Sequence, residues 1–200
     1  MLLLIDNYDS FTYNLYQEIG NRTKQAIRVV KNDQVTVADL NNPNLTGLIL
    51  SPGPGRPEDA GNMNTVLAAA IGKVPILGVC LGHQAIGQVY GAKVINAPLM
   101  HGKTSPVRQG AGEQTGIFAG CSATFTVGRY HSLMLDPQTI PANLLVTARA
   151  IDDGSVQAVA DEANHVYGVE FHPESIMTEG QAANQIFLNF LAYTEEKHHD

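Results

Sequence analysis

Two hundred residues, 44% hydrophobic and 16% charged, suit one compact unit with a substantial core and exclude a disordered or fibrous chain. Twelve Lys and Arg against nineteen Asp and Glu leave a formal charge of -7, and no basic stripe exists to neutralise successive phosphates, which argues against a nucleic-acid partner. The two cysteines, Cys80 and Cys121, are too few for a disulfide framework or a zinc site and point to a reducing compartment.

The apolar opening MLLLI is cut by Asp6 before it reaches the ~7–15 residues of a signal-peptide core. No other stretch nears the ~20 apolar residues of a membrane span, so a soluble cytoplasmic chain with no membrane association is expected. LLLI (2–5) reads as a buried strand. DSFTYNLYQEIG then spaces Phe11, Leu15 and Ile19 four apart, which predicts a helix capped by Asp9 or Ser10 and stopped at Gly20. Apolar runs at 27–30 and 46–50, a helical stretch near 63–71, and VPILGV (74–79) leading into a helix from about Gly82 continue the alternation. That is the grammar of a parallel sheet with helices on both faces. Beyond Lys93, in GKTSPVRQGAGEQTG and SATFTVGRYHSL, short β-like pieces broken by Gly, Pro and Ser predict added antiparallel strands. VYGVEF (166–171) returns to a strand, and Ile186, Phe187, Phe190 and Leu191 form one face of a closing helix. With no repeat, low-complexity tract or linker, residues 1–200 are expected to form a single α/β domain.

In such a sheet, ligands bind beyond the carboxyl ends of the strands, where turns lead into helices. Cys80 stands at such a turn inside ILGVCLGHQAIG (76–87). Gly78-Val79-Cys80-Leu81-Gly82 has the G-x-C-x-G form of a strained strand-to-helix turn that presents a nucleophile. The flanking glycines remove Cβ atoms that would clash where strand and helix close together, and the helix N-terminus is expected to favour thiolate over thiol. A lone cysteine at a strand end is otherwise a packing residue; the glycine pair favours the nucleophile.

Of the seven histidines, His198 and His199 fall in a polar tail and are expected to be solvated. EFHPES (170–175) places His172 and Glu174 two apart at the end of an apolar strand, on one side of an extended backbone. Pro173 biases His172 towards that conformation and removes a competing backbone donor. A carboxylate there can fix the imidazole tautomer, the orienting role in a nucleophile, base and orienter set; the plain alternative is a surface loop in which both side chains meet water. HGKT (101–104) ends like a phosphate-binding loop, but the pattern requires Gly where Ala97 stands, so no nucleotide site is expected. His83 and His101 read as packing or interface residues, because no set of Cys, His, Asp or Glu has metal-ligand spacing. Neither metal nor cofactor is expected.

GVCLGHQAIG and FHPES, with LSPGPGRPEDAG (50–61) upstream and RYHSL (129–133) between them, resemble the class I, Cys-His-Glu, glutamine amidotransferases over essentially the whole chain. The resemblance implies a flavodoxin-like, mainly parallel α/β sheet and L-glutamine as substrate. It implies Cys80 as nucleophile, His172 as general acid/base and Glu174 as its partner, with Gly53, Pro54, Gly55, Gln84, Ser132 and Leu133 lining the glutamine site. Thiolate attack on a carboxamide needs backbone donors for the oxyanion, and the N–H groups of Leu81 and Gly53 are the expected pair.

DNYDSFTYN (6–14) is similar to the signature of subunits serving chorismate-using synthases, those that make anthranilate or 4-amino-4-deoxychorismate. This implies a separate chorismate-binding large subunit as partner, since the chain has no room for a second synthetase domain. It places Asp9, Ser10 and Tyr13 at that interface, where Asp9-Ser10 would otherwise be an ordinary helix cap. Ammonia becomes ammonium in bulk water and loses its nucleophilic lone pair, so a heteromeric complex with channelled transfer is expected. The alternatives are a γ-glutamyl peptidase using the same Cys-His machinery, a non-catalytic binding module on the same sheet, and a redox thiol.

Overall fold

A computed structural model describes residues 1–110 and 116–196; residues 111–115 of the Gly-rich stretch and the tail histidines His198 and His199 lie outside the described residues. The chain runs β1 (Leu2–Asp6), α1 (Thr12–Gly20), β2 (Ile27–Lys31), β3 (Gly47–Leu50), α2 (Met63–Ala70), β4 (Ile76–Val79) and α3 (Leu81–Tyr90). Then follow β5 (Val94–Asn96), β6 (Lys103–Gln109), β7 (Thr124–Arg129), β8 (Leu133–Leu135), β9 (Leu145–Ala150), β10 (Val156–Asp161), β11 (Val166–Val169) and α4 (Gly180–Glu196). The predicted alternation and the antiparallel second half both appear.

The main sheet has the order β2-β1-β3-β4-β11-β10-β9-β6-β7, and β5 pairs with β8 in a small second sheet. From β2 to β11 the strands are parallel; β10, β9, β6 and β7 extend them antiparallel. Period-2 alternation divides the apolar residues between two layers. Leu2, Leu4, Leu77 and Val79 join Leu15 and Ile19 of α1 and Ile186, Phe187, Phe190 and Leu191 of α4 in one core. Leu3, Ile5, Leu48, Leu50 and Ile76 meet Met63, Val66 and Leu67 of α2 and Ala85 and Ile86 of α3 in the other.

The registers Ile5↔Leu50, Leu50↔Gly78 and Val79↔Val169 bring the carboxyl ends of β1, β3, β4 and β11 to one edge. There the chain leaves each strand at Asp6, Ser51, Cys80 and Glu170, and the Cys80 N–H donates to the Val169 carbonyl at 2.9 Å. This pairing sets Cys80 and Glu170 side by side although they are distant in sequence.

Two local expectations are corrected. Asp9 accepts the Phe11 N–H at 2.8 Å, forming a turn upstream of α1; the N-cap is Phe11, with no side-chain cap bond. The last strand stops at Val169, because the chain folds over at Pro173, where the Ser175 N–H reaches the His172 carbonyl at 3.1 Å.

The glycines around Cys80 are required by packing. A Cβ on Gly78 would lie 2.5 Å from the Gly82 carbonyl, and one on Gly82 would lie 2.5 Å from the Leu50 carbonyl and 2.6 Å from its Cβ. Gly82→Ala gains about 1 kcal/mol of helix propensity, but overpacking against backbone costs about 1–3 kcal/mol or more. We expect a net loss near 2 kcal/mol, read as a lower urea midpoint at unchanged slope.

Candidate active site

Cys80 caps α3 with φ 51 and ψ -101, a backbone conformation that a non-glycine residue adopts only when its surroundings enforce it. Gly78, Gly82 and the Val169 carbonyl supply that enforcement. The first intrahelical bond runs from the Gln84 N–H to the Cys80 carbonyl at 3.0 Å, which leaves the N–H groups of the first turn, Leu81 among them, without an intrahelical acceptor.

A cleft of about 250 Å³ opens over Cys80, walled by Asp9, Gly53, Pro54, Gly55, Gln84, Tyr130, His131, Ser132 and Leu133. The expected wall residues Gly53, Pro54, Gly55, Gln84, Ser132 and Leu133 thus converge on one space with Cys80. Leu81 is buried beneath it, its Cδ2 lying 2.7 Å from where a Gly53 Cβ would be; Asn7 Cβ lies 2.5 Å from the same point. Only glycine lets this loop approach the helix start. Asn7 ties the loop to β1, its N–H donating to Ser51 Oγ at 2.9 Å and its side-chain amide to the Ser51 carbonyl at 2.8 Å. A larger hollow of about 340 Å³ lies elsewhere, on β6 and β9 around Arg108 and Arg149, and among the described residues none that lines it is a nucleophile or base.

His172 and Glu174 are both buried, and Nδ1 of the imidazole lies 2.6 Å from Glu174 Oε1. They meet because the turn at Pro173 folds Glu174 back, so the expected pairing is present while the extended backbone proposed for it is not. An ionised Glu174 makes Nδ1–H the donor and leaves Nε2 as the free base; Nε2 is buried and has no hydrogen-bond partner among the described residues. Phe11 and Tyr130 hold the ring edge-on at centroid distances of 5.0 and 4.9 Å, and the His172 carbonyl accepts Thr178 Oγ1 at 2.6 Å.

The thiolate expected from the helix N-terminus is contradicted. Burial pushes the Cys80 thiol well up, and the acids Glu170, Glu174 and Asp9, where ionised, push it further. The resting residue is therefore a thiol that needs a base. Cys121 packs near the Ala182 carbonyl, its thiol pushed up to about 11 by burial and by Glu179, and is inert by comparison.

Sequence reasoning missed the supports of the far wall. Buried Arg129 donates Nε–H to His131 Nε2 at 3.1 Å and bonds Ser105, Asp153 and Ser155. Burial and the Arg129 charge lower His131 to about 4. It is thus neutral near pH 7, and with Nε2 accepting from Arg129, its Nδ1–H donates to the Leu133 carbonyl at 2.9 Å. Gln84 Nε2 reaches the same carbonyl at 3.3 Å. His83 is buried against Gly168 and lowered to about 3 by burial, a packing residue as expected, and His101 stacks edge-on to Tyr130 at 6.4 Å. Lys103 and Thr104 of HGKT open β6.

Ser10 is exposed at the surface and Tyr13 is 62% exposed on α1; of the expected interface residues, Asp9 alone reaches the cleft wall. No described helix is long and apolar enough to cross a membrane.

Residues 3–192 match the family glutamine amidotransferase class-I. With a cysteine on a strand-to-helix turn over a polar cleft, at the carboxyl edge of a mainly parallel sheet, the chain belongs to the class I glutamine amidotransferases. Its relatives include anthranilate synthase component 2 of Pseudomonas putida, 44% identical over 199 residues that cover 97% of this chain and 98% of that protein. Aminodeoxychorismate synthase component 2 of Klebsiella aerogenes is 45% identical over 195 residues, covering 96% and 99%. A solved structure described as a putative GMP synthase subunit from Thermoplasma acidophilum shares the fold, with a TM-score of 0.84 at 24% identity over 98% of this chain and 94% of that one.

Proposed function

We propose that residues 1–200 act as one amidotransferase domain, a cytoplasmic glutaminase subunit that hydrolyses L-glutamine at Cys80 and passes the ammonia to a chorismate-using synthase. The observation that carries this reading is the strained Cys80 turn beneath the cleft, together with the buried His172–Glu174 pair. The steps follow from the groups present. His172 Nε2 takes the Cys80 proton as sulfur attacks the side-chain carbonyl carbon of glutamine. The resulting oxyanion is held by the Leu81 and Gly53 N–H groups. Collapse breaks the C–N bond, the proton on His172 goes to the departing amine, and ammonia and a γ-glutamyl thioester result. Water then gives a proton to His172 and attacks the thioester, and the sulfur leaves and is reprotonated as glutamate forms. Gln84 and the Ser132-Leu133 backbone hold the amino-acid end of the substrate.

Exposed apolar residues next in the chain to residues at or near the cleft support a docked partner. Tyr8 is 54%, Leu99 67% and Ile176 102% exposed. Tyr8 adjoins Asp9, Ile176 follows Ser175, whose Oγ bonds Tyr130 at 3.0 Å, and Leu99 precedes Met100, whose N–H reaches the His131 carbonyl at 2.8 Å. Exposed apolar side chains of this kind, with Asp9, Ser10 and Tyr13, are what protein interfaces bury. The test is ammonia release from glutamine by the chain alone and mixed with an anthranilate synthase or an aminodeoxychorismate synthase large subunit plus chorismate, with γ-glutamyl peptides as competing substrates. We expect one partner to raise release on the order of tenfold. A full rate that ignores every partner, or a preference for γ-glutamyl peptides, defeats the reading.

A further inference from the structure

One buried acid beside the nucleophile has no part in the steps above. Glu170 directly follows β11 and is 0% exposed. Its carboxyl oxygens lie 3.0 and 3.2 Å from Gln84 Nε2, and the residue stands beside Cys80 because β4 and β11 pair Val79 with Val169 and the Cys80 N–H bonds the Val169 carbonyl. Across β10 its N–H bonds the Gln157 carbonyl at 2.8 Å. From β7, Arg129 acts on it through space while its guanidinium nitrogens bond His131, Ser105, Asp152, Asp153 and Ser155. From the following loop, His172 and Glu174 are paired with each other, and Asp9 bears on Cys80 from the loop after β1. Among the described residues no cation forms an ion pair with Glu170.

A carboxylate this deep, with an amide as its donor, is a costly species. A carboxylic acid fits the same place: one oxygen accepts from Gln84, and the O–H is left to donate to its neighbour Cys80. We propose that Glu170 works as a neutral carboxylic acid, accepting the Gln84 amide N–H and donating its own O–H to the Cys80 sulfur, and so acts as a positioning residue that ties the glutamine-binding side chain to the nucleophile. This rests on Cys80 being the nucleophile. When Cys80 yields its proton to His172, the Glu170 O–H stabilises the sulfur anion through a charge-assisted bond, and Glu170 keeps its proton throughout the cycle. Once ionised, it would set a second negative charge against the sulfur, and the two groups would compete for one proton.

Burial pushes the carboxyl up to about 8, against the opposing pull of Gln84, Cys80 and Arg129. Activity is therefore lost as pH rises through that region. Stability carries the same sign. An unfolded glutamate ionises near the ordinary 4.5 and the folded one near 8, so the folded chain holds the extra proton in that window and stability falls as pH rises across it.

The experiment uses the full chain as wild type, E170A and E170Q. It reads kcat/KM for ammonia release against pH, peptide-resolved alkylation of Cys80 by iodoacetamide against pH, and urea midpoints at pH 5 and 8. E170A leaves the Gln84 amide with only its longer bond to the Leu133 carbonyl and lowers kcat/KM about tenfold to a hundredfold, mostly through KM. E170Q, neutral and of the same shape, restores most of that loss at pH 7, removes the alkaline limb, and speeds Cys80 alkylation above pH 8. It also raises the urea midpoint at pH 8 relative to wild type by more than it does at pH 5. An E170Q as impaired as E170A at pH 7, or one that keeps the alkaline limb and the wild-type alkylation profile, overturns the proposal. If wild type releases no ammonia, the glutaminase reading fails by itself, while the alkylation and urea arms still decide whether Glu170 is neutral.

Discussion

Replacing Cys80 with alanine abolishes ammonia release from glutamine, by about 10⁴-fold or more, while the chain stays folded. The size of the loss follows from covalent chemistry: without sulfur there is no thioester, and water in the cleft must attack an unactivated amide. The fold survives because alanine occupies φ 51 at no greater steric cost than cysteine, and the packing around Gly78 and Gly82 is untouched. The deletion removes a thiol that burial already keeps protonated, so no ion pair is broken. In a complex with its synthase, the Cys80→Ala chain still permits product formation from added ammonium salts, because the nitrogen then bypasses this subunit. Ammonia release at the wild-type rate from Cys80→Ala would end the case for Cys80 as nucleophile.

The parallel half of the fold was legible because its strands are short apolar runs and its helices carry period-3.6 faces; Leu15 and Ile19, and Phe187 and Phe190, are buried as their spacing implies. The Cys80 turn was legible because Gly78 and Gly82 have steric reasons visible in one short stretch. Less legible was whatever depends on strand order. That β11 lies beside β4 follows from a hairpin through β10, and this alone puts Glu170 against Cys80. The thiol's state depends on strand order in the same way: the helix N-terminus is local, whereas the burial that raises the thiol, and the acids Glu174 and Asp9 that add to it, come from separate segments. Arg129 carries no local signal, because its partners Asp153 and Ser155 lie 24 and 26 residues onward in the β9–β10 turn. At Asp9, two local uses of one side chain competed, and the turn before the helix took it.

Glu174→Gln lowers kcat by about 10²–10⁴-fold with KM near its wild-type value. Glu174 acts through the imidazole, so its loss falls on the chemical steps. With the 2.6 Å contact to His172 Nδ1, the amide has two orientations. Turned with its NH2 towards Nδ1, it forces that nitrogen to accept, moves the imidazole proton to Nε2 and removes the base that should take the Cys80 proton. Turned with its oxygen towards Nδ1, it keeps the tautomer but withdraws the negative charge that stabilises the imidazolium in both proton transfers, and buries an NH2 where Glu174 Oε2 already has no partner. Either orientation slows attack and thioester hydrolysis alike. The same substitution at the two acids therefore has opposite consequences, because Glu174 works through its charge and Glu170 through its proton. Parallel pH profiles of Cys80 alkylation separate them: at neutral pH the reaction slows in Glu174→Gln and does not slow in Glu170→Gln. A Glu174→Gln chain with wild-type kcat would show that the imidazole is oriented by its Phe11 and Tyr130 cage alone.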